Sequence, residues 1–219
     1  MLKGIIFDMD GTLGDTLTLC IESYRSSVLE LTGQTPSVEE VVCHFGLSDR
    51  GVLGALLGIN PDAPELPIDT FVRLYCERHD ELAPAAFPGA VELLKSLKAR
   101  GLKLALLTGK EHYTAEPTLQ KFGMEGLFDL LLYGDPYYNA KADNLKRAMN
   151  AWQLSPQEII YVGDAPSDIE LCHSVGVAII NAAWSRNAAA DEAACLALAP
   201  EYRLNNFAEL APLLNTLTT

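Results

Sequence analysis

The sequence predicts an α/β fold: an open parallel sheet with helices on both faces (Rossmann-like), interrupted after its first strand by an all-helical insertion. Three observations predict it. Short, predominantly apolar runs, at residues 4–7, 102–107, 158–162 and 177–180, alternate with helical patterns, as parallel strands covered on both faces require. Residues 15–83 carry helical patterns and no strand pattern. Polar side chains stand directly after the apolar runs, at Asp8, Thr108 and Asp164, where open parallel sheets place their ligands.

The elements follow in order. Residues 4–7 read as a buried strand entering the polar turn Asp8-Met9-Asp10-Gly11-Thr12. Asp15 or Thr16 caps a helix that runs to about Leu31, with Leu19, Tyr24, Val28 and Leu31 on roughly one face. Short helices are expected at 38–45 and 49–57, a proline-rich loop at 60–67 and a longer helix at 68–82. Pro84 and Pro88 mark a linker. Beyond it come a helix at 90–100, a strand at 102–107, a helix at 112–122 in which Pro117 sits awkwardly, and a strand at 127–132. Next are a helix at 141–152, a strand at 158–162, a helix at 167–174 and a strand at 177–180. A short strand near 203–204 and a helix at 207–217 close the chain. Residues 1–14 are too short to fold alone. The expected core domain therefore joins 1–14 to 86–219, with 15–83 as a helical cap domain.

The charge balance is 16 Lys plus Arg against 29 Asp plus Glu, a net charge of −13. That argues against a nucleic-acid partner, which requires a basic surface, and against anionic membranes. A small anionic substrate stays open, because a pocket can be locally positive or loaded with metal. The five cysteines show no CxxC or Cys/His spacing, and no basic leader precedes the first strand. A cytoplasmic protein with free thiols is expected.

The polar groups at the strand ends form a coherent chemical set. Clustered carboxylates repel one another, and a hard cation with oxygen ligands, magnesium, relieves the repulsion. Asp8 is placed to attack phosphorus, and Asp10 to protonate the leaving oxygen and later deprotonate water. Backbone amides of the turn from Met9 through Gly11 and Thr12, the Thr108 hydroxyl and the Lys141 ammonium are expected on the phosphoryl oxygens.

The chain resembles the haloacid-dehalogenase-like hydrolases, in particular the branch of phosphoglycolate phosphatases and beta-phosphoglucomutases. Four motifs carry the likeness: Phe7-Asp8-Met9-Asp10-Gly11-Thr12-Leu13 with Asp15-Thr16, the strand ending in Thr108-Gly109-Lys110, Lys141, and Val162-Gly163-Asp164-Ala165-Pro166-Ser167-Asp168. The resemblance implies Asp8 as nucleophile and Asp10 as general acid and base, with Thr108 and Lys141 completing the catalytic set. Asp8, the Asp10 backbone carbonyl and Asp164 would hold Mg2+. Asp168 would complete the acidic site or hold the lysine. Gly109 and Lys110 would face the substrate, as would Arg50 from the cap. The sequence departs from the family pattern at Gly109 (commonly Asn), Ala142 (often Pro) and Ala165 (commonly Ser or Thr). The implied activity is hydrolysis of a small phosphorylated metabolite such as 2-phosphoglycolate, by a monomer or homodimer. A phosphosugar mutase and a catalytically inactive scaffold or regulatory homologue are the alternatives.

Overall fold

The computed structural model describes residues 1–186 and 191–218. Six parallel strands form one sheet: β1 (Gly4–Phe7), β2 (Lys103–Leu107), β3 (Leu130–Leu132), β4 (Ile159–Gly163), β5 (Ala178–Ala182) and β6 (Tyr202–Leu204), in the spatial order β3-β2-β1-β4-β5-β6. All four residues of β1 are buried, because it lies centrally with covering layers on both faces. Successive residues alternate between those layers. Ile5 and Phe7 join Leu104, Leu106, Ile160 and Val162 on one face, and Ile6 joins Ala105, Leu107 and Tyr161 on the other.

Ten α-helices surround or extend this sheet among the described residues: α1 (Leu17–Thr32), α2 (Val38–Val42), α3 (Asp49–Leu57), α4 (Ile68–Leu82), α5 (Ala90–Ala99), α6 (His112–Lys121), α7 (Lys141–Trp152), α8 (Pro166–Val175), α9 (Glu192–Ala197) and α10 (Leu210–Leu217). Apolar residues of α5, α6 and α10 cover the first face, and those of α7 and α8 the second.

The differences from the expected elements have local causes. The strand expected at 127–132 is confined to its last three residues, because the Asp129 carboxylate itself accepts the Leu104 amide (2.9 Å) in place of a backbone carbonyl. The second helix has a complete Ser37/Glu40 capping box but stops at Val42, and a tight turn follows. The C-terminal helix begins as a 3-10 turn over Phe207–Glu209, with Asn206 Oδ1 accepting the Ala208 amide (3.0 Å). Pro117 is tolerated inside α6, where it removes one backbone donor. The short helix α9 had no clear signal in the sequence.

Helices α1 to α4 share a hydrophobic cluster drawn entirely from residues 19–83. Tyr24 of α1 stacks on Phe71 of α4 with ring centroids 4.2 Å apart, and Leu19, Val41, Val52, Leu53 and Tyr75 surround the pair. The chain leaves and re-enters the sheet body side by side: Gly14 bridges Ala86, and the Phe87 amide donates to the Leu13 carbonyl (2.9 Å). Gly14 packs against the Phe122 ring so closely that a Cβ would collide with it. Among the described residues no helix is long and apolar enough to cross a membrane.

Phe71 is 1% exposed, so Phe71→Ala removes the centre of the helical cluster. The expected cost is about 3–5 kcal/mol in urea unfolding. A loss well under 1 kcal/mol would contradict the packing described.

Candidate active site

The strand order reverses direction at β1, which has β2 on one side and β4 on the other. At such a switch point the loops beyond the carboxyl ends diverge and open a crevice. Register then decides what faces it. Phe7 pairs with Leu106 and Val162, so Asp8, Thr108 and Asp164 all follow within two residues of one level of the sheet.

Oxygens of Asp8, Asp164 and Asp168 lie within 4.8 Å of one another, and all three residues are buried. Lys141, at the start of α7, enters the group from the side. Its Nζ is 2.8 Å from Asp168 Oδ1 and 3.3 Å from Asp8 Oδ1. Asp168 also accepts hydrogen bonds from Tyr161 Oη (3.4 Å) and the Ala165 amide (3.4 Å). It thus both holds the lysine and belongs to the acidic group.

Three carboxylates against one ammonium leave an excess of negative charge in a desolvated place. Burial pushes the Asp8 carboxyl well above its usual range. Lys141 opposes that shift, while Asp168, Asp164 and Asp10 add to it. Asp164 is pushed up to about 7, first by burial and then by Asp168, against a hydrogen bond from Ser185 Oγ (2.8 Å). For Lys141 the surrounding acids outweigh burial, and its ammonium is held well above the ordinary value. Buried, all-oxygen and in negative excess, this donor set fits a hard divalent cation.

The loop after β1 is shaped by Gly11, whose φ is +76°. A Cβ there would fall on Asp164 Oδ2 and Ser185 Oγ, so only glycine lets the loop approach the cluster. The amides of Gly11 and Thr12, expected on a phosphoryl group, are engaged inside the loop instead, donating to Gly14 O (2.8 Å) and Met9 O (3.2 Å). Among the described residues the amides of Met9 and Asp10 have no acceptor, so the donors available to a ligand are those of the first half of the expected Met9–Thr12 turn. Thr108 is buried at the end of β2; its hydroxyl accepts the Lys110 amide (3.2 Å) and keeps its own proton to donate.

The remaining expected residues separate. Gly109 lines a cavity of ≈ 660 Å³ over the carboxylates, together with Asp8, Asp10, Lys141 and Asp164. The cavity's other wall comes from the helical unit, through Leu17, Tyr24, Val42, Phe45, Leu47 and Val52. Arg50, expected at the substrate, is instead paired with Glu111 (3.0 Å) and Asp62 (3.3 Å) and is not among the lining residues. Asp10 does not bring its carboxylate to the acidic group: Oδ1 accepts from Thr16 Oγ1 and is 3.1 Å from Lys110 Nζ. The implied metal contact of Asp10 concerned its backbone carbonyl alone. Lys110 lines the cavity, but its ammonium is held by Asp10 rather than left free for a ligand.

Sequence reasoning missed Ser185, which hydrogen-bonds Asp164, and Cys20, which reaches Asp10 and Lys110. It also missed Asp49, a buried carboxylate of α3. Asp49 accepts the Glu111 amide (2.9 Å) and the Thr114 hydroxyl (2.7 Å), tying the helical unit to the start of α6.

A crevice at the switch point of a parallel sheet, holding a buried carboxylate cluster and an ammonium beneath an inserted helical unit, is the mark of a hydrolase of the α/β type. Residues 5–182 match the haloacid dehalogenase-like hydrolase family, and the chain belongs to it. A phosphoglycolate phosphatase of Thiobacillus denitrificans is 27% identical over 194 residues, covering 85% of each chain. Pyrophosphatase PpaX of Bacillus cereus is 26% identical over 218 residues, 99% of this chain and 98% of the relative. Among solved structures, CbbY of Rhodobacter sphaeroides in complex with phosphate superposes with a TM-score of 0.73 at 20% identity, covering 96% of each chain. A Thermotoga maritima chain provisionally described as a beta-phosphoglucomutase gives 0.72 at 25% identity, covering 98% of this chain and 99% of that one.

Two predictions come from this geometry. Gly11→Ala is expected to destabilise the protein by more than the ~1–2 kcal/mol that a left-handed residue costs by itself, because the new methyl also displaces Asp164; a variant melting like wild type contradicts the close approach. The second concerns pH. In the metal-free protein the Asp164 carboxyl is raised from 3.8 to about 7, so its contribution to stability is complete below the lower value and is lost as pH rises through the upper one. A divalent cation competes with that proton. A fixed concentration of Mg2+ should therefore raise the melting temperature more at about pH 8 than at about pH 5.5. An equal rise at both would contradict the assignment.

Proposed function

We propose that this protein is a magnesium-dependent phosphomonoester hydrolase acting on a small phosphorylated metabolite through an aspartyl-phosphate intermediate on Asp8. The observation that carries the proposal is the position of Asp8: its carboxylate lies 3.3 Å from Lys141 Nζ, inside a buried group with Asp164 and Asp168, at the floor of a cavity large enough for a metabolite. The family membership and the relatives described as phosphoglycolate phosphatase and pyrophosphatase support the same reaction type.

Asp8 and Asp164, with the Asp10 carbonyl, would hold Mg2+. The bound ion supplies positive charge that lets two anions, the Asp8 carboxylate and the phosphate, approach each other. Lys141 neutralises a phosphoryl oxygen while staying anchored on Asp168. The Thr108 hydroxyl and the free amides of Met9 and Asp10 are suited to the remaining oxygens. An Asp8 oxygen forms a bond to phosphorus as the ester P–O bond breaks, and Asp10 gives its proton to the departing oxygen. A water molecule then loses a proton to Asp10 and attacks the acyl phosphate, releasing phosphate and restoring Asp8. The helical unit of α1 to α4 acts as a cap that limits water while the ester is bound.

The substrate we favour is 2-phosphoglycolate, on the likeness to the phosphoglycolate phosphatases. Purified protein is expected to release phosphate from phosphoglycolate and from aryl phosphates with Mg2+, and to stop when the ion is chelated. Asp8→Asn is expected to lower kcat by at least about 1000-fold while the protein stays folded. Persistent turnover in Asp8→Asn would refute the mechanism. Turnover that requires a bisphosphorylated sugar activator and yields a phosphosugar isomer would identify a mutase instead.

A further inference from the structure

Lys110 is a second lysine at the site, and its surroundings differ from those of Lys141. Its backbone is fixed to the sheet body: the amide donates to Thr108 Oγ1 (3.2 Å) and the carbonyl accepts from Gly134 (2.9 Å). Its ammonium reaches across to the helical unit, where the side chain is only 5% exposed. There Nζ is 3.1 Å from Asp10 Oδ1, 2.8 Å from Cys20 Sγ and 4.8 Å from the centroid of the Tyr75 ring. An ammonium has three donors. One carboxylate, one sulfur and one aromatic face account for all three, so no donor is left for a substrate.

The partner of this ammonium is equally one-sided. Thr16 Oγ1, Cys20 Sγ (3.5 Å) and Lys110 Nζ all converge on Oδ1 of Asp10. Among the described residues Oδ2 has no protein partner, and Asp10 lines the cavity beside Asp8. One oxygen of the carboxylate is therefore clamped and the other is presented. The two lysines divide the acids of the site between them, Lys141 serving Asp8 and Asp168, and Lys110 serving Asp10.

We propose that Lys110 is a positioning residue for proton transfer: it clamps Asp10 through Oδ1 and aims Oδ2 at the leaving oxygen. The inference rests on the proposed phosphatase reaction. In the step concerned, the Asp8–phosphorus bond forms, the ester P–O bond breaks, and the proton passes from Asp10 Oδ2 to the departing oxygen. A lysine that merely bound substrate would affect every ester alike. One that acts through Asp10 matters only where the leaving group needs a proton.

That difference is the test. In the full-length protein with Mg2+, kcat/KM is compared for nitrophenyl phosphate, whose leaving group departs without a proton, and an alkyl phosphate, whose leaving group does not. This ratio of constants reports the first phosphoryl transfer and is insensitive to later hydrolysis of the acyl phosphate. Asp10→Asn is expected to lose about 100-fold or more on the alkyl ester and far less on the nitrophenyl ester. Lys110→Met should show the same bias, with at least about a 10-fold greater loss on the alkyl ester, and the double variant should be no worse than Asp10→Asn alone. Equal losses on both esters, or losses that multiply in the double variant, would overturn the inference. If Lys110→Met does not fold, Lys110→Gln is judged by the same ratio. Failure of the underlying reaction looks different: wild type would turn over neither ester, or Asp8→Asn would match it on both.

Discussion

Three acidic side chains forced together in a desolvated crevice are the constraint on which the rest of this molecule turns. Asp8, Asp164 and Asp168 lie within 4.8 Å of one another with a single ammonium, Lys141, among them. Such a group is unfavourable by itself, as the raised carboxyls of Asp8 and Asp164 express. It persists because each member is attached to a rigid element. Asp8 and Asp164 directly follow buried central strands, Asp168 and Lys141 lie in the first turns of helices, and Ser185 and Tyr161 hold two of the carboxylates by hydrogen bonds. The core of the sheet supplies the stability that the site withholds, which is the general relation between strained functional groups and the scaffold around them.

The same arrangement explains why the two aspartates of the first loop can differ in role although one residue separates them. Alternation along an extended chain turns Asp8 toward Lys141 and Asp164, while Gly11 and the turn that follows carry Asp10 toward Thr16, Cys20 and Lys110. The two carboxylates therefore face different counter-charges, Lys141 for Asp8 and Lys110 for Asp10. A reaction that needs a nucleophile and a proton donor side by side requires that separation. The helical unit contributes to it directly, because Cys20 and Tyr75, which hold the Lys110 ammonium, belong to α1 and α4. On the proposed reading, the element that covers the substrate also completes the environment of the acid.

Much of this was legible in the sequence. Strands buried on both faces need continuous apolar runs, and Gly4–Phe7 and Ile159–Gly163 are such runs; the acids that follow them are read off as soon as the sheet is taken to be parallel. Lys141 was legible because the carboxylates and a phosphate call for a cation beside them, and Asp168 through the family motif that follows Asp164. What stayed hidden depends on contacts that no local pattern encodes. Lys110 meets Cys20 across 90 positions, and Ser48 meets Glu111 across 63, through packing between the helical unit and the sheet body. Arg50 shows the same limit from the other side. The resemblance implied substrate contact, yet the buried Glu111 carboxylate lies 3.0 Å from the guanidinium and captures it. Which of the Met9–Thr12 amides stay available was not legible, because the turn closes on itself through Gly14 and Met9, and that depends on backbone conformation rather than residue type.

In the proposed reaction Asp8, held within this acidic cluster, is the nucleophile toward phosphorus. The most direct test is acid-quenched peptide mass spectrometry of the protein mixed rapidly with a phosphate ester and Mg2+. A transient phosphoryl adduct is expected on the peptide containing Asp8, absent when the ion is chelated. Phosphate released at full rate with an adduct on another residue, or with none at any time point, would contradict it.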